Sequence, residues 1–204
     1  MKQRADFLLE IGCEEIPAQM IARAAEELKV ILEKYLASEG ILDSSAVESY
    51  GAPRRLVAHA RAILLRQPDV VKEVVGPPKS VAFDDVGRPT RAAESFAAKQ
   101  GVPVSKLYVV VNSRGEYVAA KQVIRGRPAV AILSEALPRA ILEISWPRNM
   151  YWTGADGPRF IRPIRWIVAL LGERVIHFSV AGVASGRESA GHRFLGKARV
   201  RIRE

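Results

Sequence analysis

Four arginines and three tryptophans share the stretch from Trp146 to Trp166, WPRNMYWTGADGPRFIRPIRW, with Asp156 as its single acid. Arg148, Arg159, Arg162 and Arg165 offer planar guanidinium forks that match phosphate oxygens and stack on rings. The indoles offer flat apolar surface for a flipped or terminal base. The same composition also suits tryptophans anchored in a core with arginines as a solvated rim, and for any one residue taken alone that reading is the stronger. Arg54 and Arg55, after a Gly-Ala-Pro turn, could hold an anion or cap an exposed strand end, and Arg193 stands within GHRF. Gathered on loops and strand ends of one sheet, these side chains would form a cationic band suited to the phosphates and 2′-hydroxyls of RNA.

Catalytic constellations are lacking by comparison. No glycine-rich phosphate loop with a lysine, no His or Cys set at metal spacing and no Ser-His-Asp pattern is legible, so neither catalytic residues nor a metal are expected. Cys13 follows a strand and precedes Glu14 and Glu15, whose charge opposes a lowered thiol pKa, so it reads as a buried cysteine rather than a nucleophile. Glu14 and Glu15 could act as acid and base. They read better as favouring a helix dipole or meeting a partner. His59, with no carboxylate or nucleophile beside it in sequence, reads as structural rather than as a general base.

The chain has 204 residues, 49% of them apolar, enough for one large domain or two small ones. Its net charge of +9 is uneven: residues 1–50 carry 5 basic and 10 acidic side chains, and the rest carry 26 and 12. A basic body with an acidic N-terminal segment suits a polyanion on one side and a protein or solvent face on the other. One cysteine excludes an internal disulfide. That points to a reducing cytoplasm, and with neither a signal-like run nor a membrane-length apolar stretch, the protein is expected to be neither secreted nor inserted.

Positioning these residues calls for a strand over 6–12, a helix over about 17–38 with a charged outer face, and a strand over about 56–65. In that last strand Val57, His59, Arg61 and Ile63 face one way and the small residues Ala58, Ala60 and Ala62 the other. Residues 67–90, with the GPP and VGRP turns, read as a long, loose connection. Thr90 caps a short helix ending at Gly101. Residues 107–124 form a hairpin, and Pro128 opens a helix that Pro138 should kink or split. A second hairpin runs over 164–171 and 174–180, and the basic run KARVRIRE ends without a stop signal, as in a chain that has been cut. The expected class is α+β, with mixed or antiparallel sheets and hairpins packed by the long helix and shorter ones. Its divisions fall at 1–66 (strand-helix-strand), 67–104 (connection with a short helix) and 105–204 (hairpin-helix-hairpin), or the whole forms one continuous domain.

Taken together, LLEIGCEEIP (8–17), PRRL (53–56), GPP (76–78), GRPTRAAESFAAKQG (87–101), WPRNMYW (146–152), RFIRPIRWIVALLG (159–172) and GHRFLG (191–196) closely resemble the N-terminal region of the beta subunit of the bacterial two-subunit glycyl-tRNA synthetase. The resemblance covers essentially the whole chain, in order and at matching spacing. Departures are local: Cys13 where threonine is common, Tyr151 where Arg or Lys is expected, and Ser189 where threonine is usual. The resemblance implies a non-catalytic part of an α2β2 aminoacyl-tRNA synthetase, a cytoplasmic ligase of protein biosynthesis. In that enzyme the alpha subunit holds the class II core with its ATP and Mg²⁺, and the beta subunit supplies contacts to tRNA-Gly and assembly. This chain would bind no cofactor itself. The family's helical HD-like domain and C-terminal anticodon-binding domain would lie beyond it, and part of the fold is expected to be similar to the B3/B4 region of phenylalanyl-tRNA synthetase beta. The implied tRNA contacts are Arg54, Arg55, Arg148, Arg159, Arg162, Arg165 and Arg193, and Glu14 and Glu15 are candidates for the alpha-subunit interface. The competing reading is a purely structural assembly module with the same residues buried and paired.

Overall fold

A computed structural model describes residues 3–42, 46–150, 157–192, 195–196 and 199–203. They form two compact units, one built from Met1–Gln67 with Arg127–Glu204 and one from Pro68–Gly126.

The first unit opens with β1 (Arg4–Cys13), α1 (Ala18–Ser38), β2 (Val47–Ala52) and β3 (Arg55–Leu64). The second unit follows, with β4 (Val70–Pro78), α2 (Lys79–Ala82), α3 (Arg91–Gln100), β5 (Tyr108–Asn112) and β6 (Gly115–Ile124). The chain then returns to the first unit with α4 (Ala129–Glu143), β7 (Ile164–Leu171), β8 (Arg174–Val175), β9 (Ser179–Val180), β10 (Val183–Gly186), β11 (Glu188–Ser189) and β12 (Val200–Arg201).

The main sheet of the first unit has the order β2-β3-β1-β7-β10-β9, with β8 paired to the end of β7. β1 is antiparallel to β3 and β7, while β10 runs parallel to β7. β1 and β7 take the central places because each carries a nearly continuous buried run, over 7–13 and 167–171, as strands covered on both faces must. Phe7, Leu9, Ile11 and Cys13 join Leu56, Ala58, Ala60, Ile167 and Ala169 in one core. Ala24, Leu28, Ile31 and Leu32 of α1 and Ile132, Leu133, Leu137 and Ile141 of α4 close over it. Alternation then sends Leu8, Glu10 and Gly12 to the opposite face, in register with Arg55, Val57 and His59 of β3 and with Trp166, Val168 and Leu170 of β7.

Several expectations need correction. Ile63 faces the core rather than sharing a face with Val57 and His59, because the β1–β3 register shifts between Ala5 and Phe7. The extra residue at the bulge leaves Ala62 at φ 52°, with its N–H donating to Asp6 Oδ1 at 2.8 Å. The hairpin over 164–180 pairs only as far as the bond from Ile176 N to Ala169 O at 2.9 Å, and the outer edge of β7 then passes to β10, whose Ser185 and Gly186 stand opposite Ile167 and Val168. α4 runs as one helix through Pro138 rather than splitting, its apolar stripe buried on both sides of the proline. The segment 67–90 is no loose connection: β4 pairs with β6 over Val70–Val75. Its sequence conceals this because β4 is an edge strand whose residues are mostly exposed, so no alternation marks it.

Those pairings also redraw the expected divisions. The structure groups the 107–124 hairpin with β4, β6 lying between β4 and β5, and places α2 and α3 on one face through Ala82, Ala93 and Val118. It places α4 and β7 in the first unit, because the apolar run 166–171 of β7 finds its burial against β1. Thr90 caps α3 through its side chain, which accepts from Ala92 N at 3.2 Å, and Gly101 ends it in the left-handed conformation.

Candidate functional site

Three of the singled-out segments are stapled together by main-chain hydrogen bonds where β1 ends. Cys13 N donates to Arg54 O at 3.0 Å, Glu14 N to Pro163 O at 3.1 Å and Ile16 N to Pro53 O at 2.6 Å. CEEIP, APRR and IRPIRW are therefore walls of one site.

Its centre is Glu10, a charged residue only 6% exposed on an apolar strand. Glu10 Oε1 accepts from Trp166 Nε1 at 2.6 Å, from Ser189 Oγ at 2.6 Å and from Arg55 Nη1 at 3.2 Å. Arg55 also donates to Ser189 Oγ at 3.1 Å and, through Nη2, to Ala190 O at 2.5 Å. A buried carboxylate is stable only when its lone pairs are met in this way. The network holds the segment 188–190 against the sheet. Ser189 supplies the one hydroxyl that this requires, which a threonine would supply as well.

The indole of Trp166 lies across Gly12, and the Arg54 and Arg55 guanidinium carbons stand 5.8 and 5.6 Å from its ring centroid. Arg54 reaches Glu14 at 3.6 Å and Glu15 at 3.7 Å, and Arg165 Nε donates to Glu14 Oε1 at 2.7 Å. Arg162 Nε donates to the main-chain oxygen of Glu15 at 3.0 Å. Arg54, Arg55, Arg162 and Arg165 are thus brought together, and the acids expected to favour a helix dipole or meet a partner lie among them. A cleft of about 290 Å³ opens here, lined by Glu15, Pro53, Arg54, Arg55, Trp166 and His192. His192 Nδ1 accepts from Leu195 N at 3.1 Å.

Arg148 and Arg159 are placed elsewhere. Both are exposed and flank the bridge that pairs Met150 with Phe160, beneath which Trp146 meets Phe160 edge-on at 5.1 Å. Arg193, Tyr151, Trp152 and Asp156 lie outside the described residues. Phe160 and Ile164 are core residues, as is Trp146. His59 lies 3.8 Å from Asp6 and 4.0 Å from Glu48, two carboxylates that sequence separation conceals.

Arg54, Arg55, Arg162 and Arg165 tie these neighbouring segments together through carboxylates and main-chain oxygens. Burial, partly opposed by Arg54, pushes the Cys13 thiol up to about 12, which removes it as a nucleophile at neutral pH. Among the described residues no group of three or more His, Cys, Asp or Glu could hold a metal ion, and no helix is long and apolar enough to cross a membrane. Sequence reasoning missed Glu10 and Ser189 as parts of the site. A signal for Glu10 was available, since a lone acid inside FLLEIG must find donors if the strand is central.

A family model described as glycyl-tRNA synthetase beta subunit matches residues 7–204. The glycine–tRNA ligase beta subunit of Acidobacterium capsulatum is 48% identical over 192 residues, 94% of this chain and 27% of that protein. The corresponding beta subunit of Desulforudis audaxviator is 46% identical over 202 residues, 97% of this chain and 28% of its own length. A chloroplastic/mitochondrial glycine–tRNA ligase of Arabidopsis thaliana is 44% identical over 187 residues, 92% of this chain and 17% of that protein. The chain spans less than a third of the length of these relatives.

Proposed function

This chain belongs to the glycyl-tRNA synthetase beta subunit family, and from that premise we propose that it is a non-catalytic part of a glycine–tRNA ligase, serving the ATP-dependent glycylation of tRNA-Gly beside a catalytic alpha subunit. Its arginines divide by task. Arg54, Arg55, Arg162 and Arg165 organise the protein, tied to Glu10, Glu14 and main-chain oxygens. Arg148 and Arg159, exposed beside the Met150–Phe160 bridge, meet the phosphates of tRNA. Glu14 and Glu15 sit at the edge of the organised cluster, with the Glu15 side chain 57% exposed, where an alpha-subunit contact would reach them.

The observation that carries this division is the pairing of Arg54, Arg55 and Arg165 with acids. It equally favours a second reading, in which the segment is purely an assembly module and makes no contact with tRNA. Titrating labelled tRNA-Gly and an unrelated tRNA against the chain, with and without the alpha subunit, separates the two. Salt-dependent binding that weakens on charge reversal at Arg148 and Arg159 supports the first. Alpha-subunit binding with no tRNA affinity supports the second, and binding of neither overturns both.

A further inference from the structure

Between β7 and the β10–β11 segment lies a second cleft, of about 450 Å³. Arg165, Arg187 and Arg199 line it, with Glu188 as the single acidic residue in its described wall and Trp166 and Ile167 behind. These arginines come from separate segments, and each is anchored through one nitrogen. Arg165 Nε donates to Glu14 at 2.7 Å, Arg187 Nη2 to the main-chain oxygen of Glu173 at 2.5 Å, and Arg199 Nη1 to Glu188 at 2.9 Å. A guanidinium carries five N–H donors, so one anchor fixes its place and leaves donors for a second acceptor. Arg187 is anchored by a neutral carbonyl, which leaves its full charge for an incoming anion. A concave, partly apolar wall concentrates that field more than a flat solvated face would.

We infer that this cleft grips backbone phosphates of RNA through Arg187 and Arg199, with Arg165 held in its wall by Glu14. The inference rests on the reading that the chain meets tRNA, and it adds a contact surface that uses neither Arg148 nor Arg159. Free nucleotides carry the same phosphate chemistry, so the test must distinguish the two sources.

The chain, its R187Q/R199Q variant and a control R23Q/R61Q, which neutralises two exposed arginines of the same unit, are titrated with tRNA, ATP and inorganic pyrophosphate over a range of salt. Arg199→Gln alone, at an 81% exposed side chain, guards against misfolding of the double variant. For tRNA the double variant is expected to bind about tenfold more weakly at low salt, its plot of log K against log salt shallower by about 0.7–0.9 for each phosphate no longer neutralised, with the control unchanged. Equal losses in variant and control, or no loss in either, overturn the cleft and leave the tRNA reading standing. Pyrophosphate or ATP binding that the double variant abolishes, without tRNA binding, overturns the RNA assignment. No binding of any probe overturns both the cleft and the tRNA reading.

Discussion

Gly12 and Trp166 stand directly opposite each other on β1 and β7, and a methyl group added at Gly12 would lie 1.9 Å from the indole Cε2. The absence of a side chain is what allows the ring to lie flat on the strand with its Nε1 reaching Glu10. Gly12→Ala should therefore unseat the ring and cost about 2–3 kcal/mol, as overpacking does. Urea denaturation checks this. An unchanged midpoint would show that the ring has another resting place.

Glu10 is the common acceptor for Arg55, Trp166 and Ser189. Glu10→Ala leaves these donors facing a buried gap and should cost about 3 kcal/mol, while Glu10→Gln, which keeps one acceptor oxygen, should cost less. Thermal unfolding of both variants tests the order. Equal stability of Glu10→Ala and the parent would show that the network does not stabilise the fold.

The arginines should separate by what their loss affects. Arg55→Gln is expected to lower the melting temperature by several degrees, since a destabilisation of about 1 kcal/mol shifts a domain of this size by roughly 2–4 °C. Arg148→Gln should leave the melting temperature in place, and Arg148→Gln and Arg159→Gln should each make the salt slope of tRNA binding shallower by about 0.7–0.9. The opposite pattern would exchange the two roles.

Cys13 should resist thiol reagents at pH 8 in the folded chain and react readily in urea, since its pKa is about 12 in the fold. The sign of its pH effect follows from linkage. A folded pKa above the unfolded value near 9 gives stability that is complete below pH 9 and is lost as pH rises toward 12. Cys13→Ser should show a flatter decline over that window, and parallel declines would contradict the assignment.

At the bulge of β3, Ala62 holds φ 52°, a conformation that a Cβ disfavours. Ala62→Gly should raise stability by about 0.5–1 kcal/mol, because relief of the strain exceeds the entropy glycine adds to the unfolded chain. A lowered denaturation midpoint would refute this.

Local signals in the sequence were enough for α1, for the Thr90 cap and Gly101 stop of α3, for the 107–124 hairpin and for the family. Each of these is written in neighbouring residues: a helical apolar stripe, a cap, two runs around a turn, and a set of motifs in order. Only the tertiary structure decided that β7 pairs with β1, that β4 is a strand at all, and that β10 takes over the edge of β7. Strand partners and register are set by long-range burial, and an exposed edge strand carries no periodic mark. The site divides in the same way. The residue types in CEEIP, APRR and IRPIRW announced a cluster of charge, but whether its arginines faced solvent or glutamates depended on Glu10, Glu14 and Ser189. The fold brings these to the arginines from up to 151 residues away along the chain, as with Arg165 and Glu14.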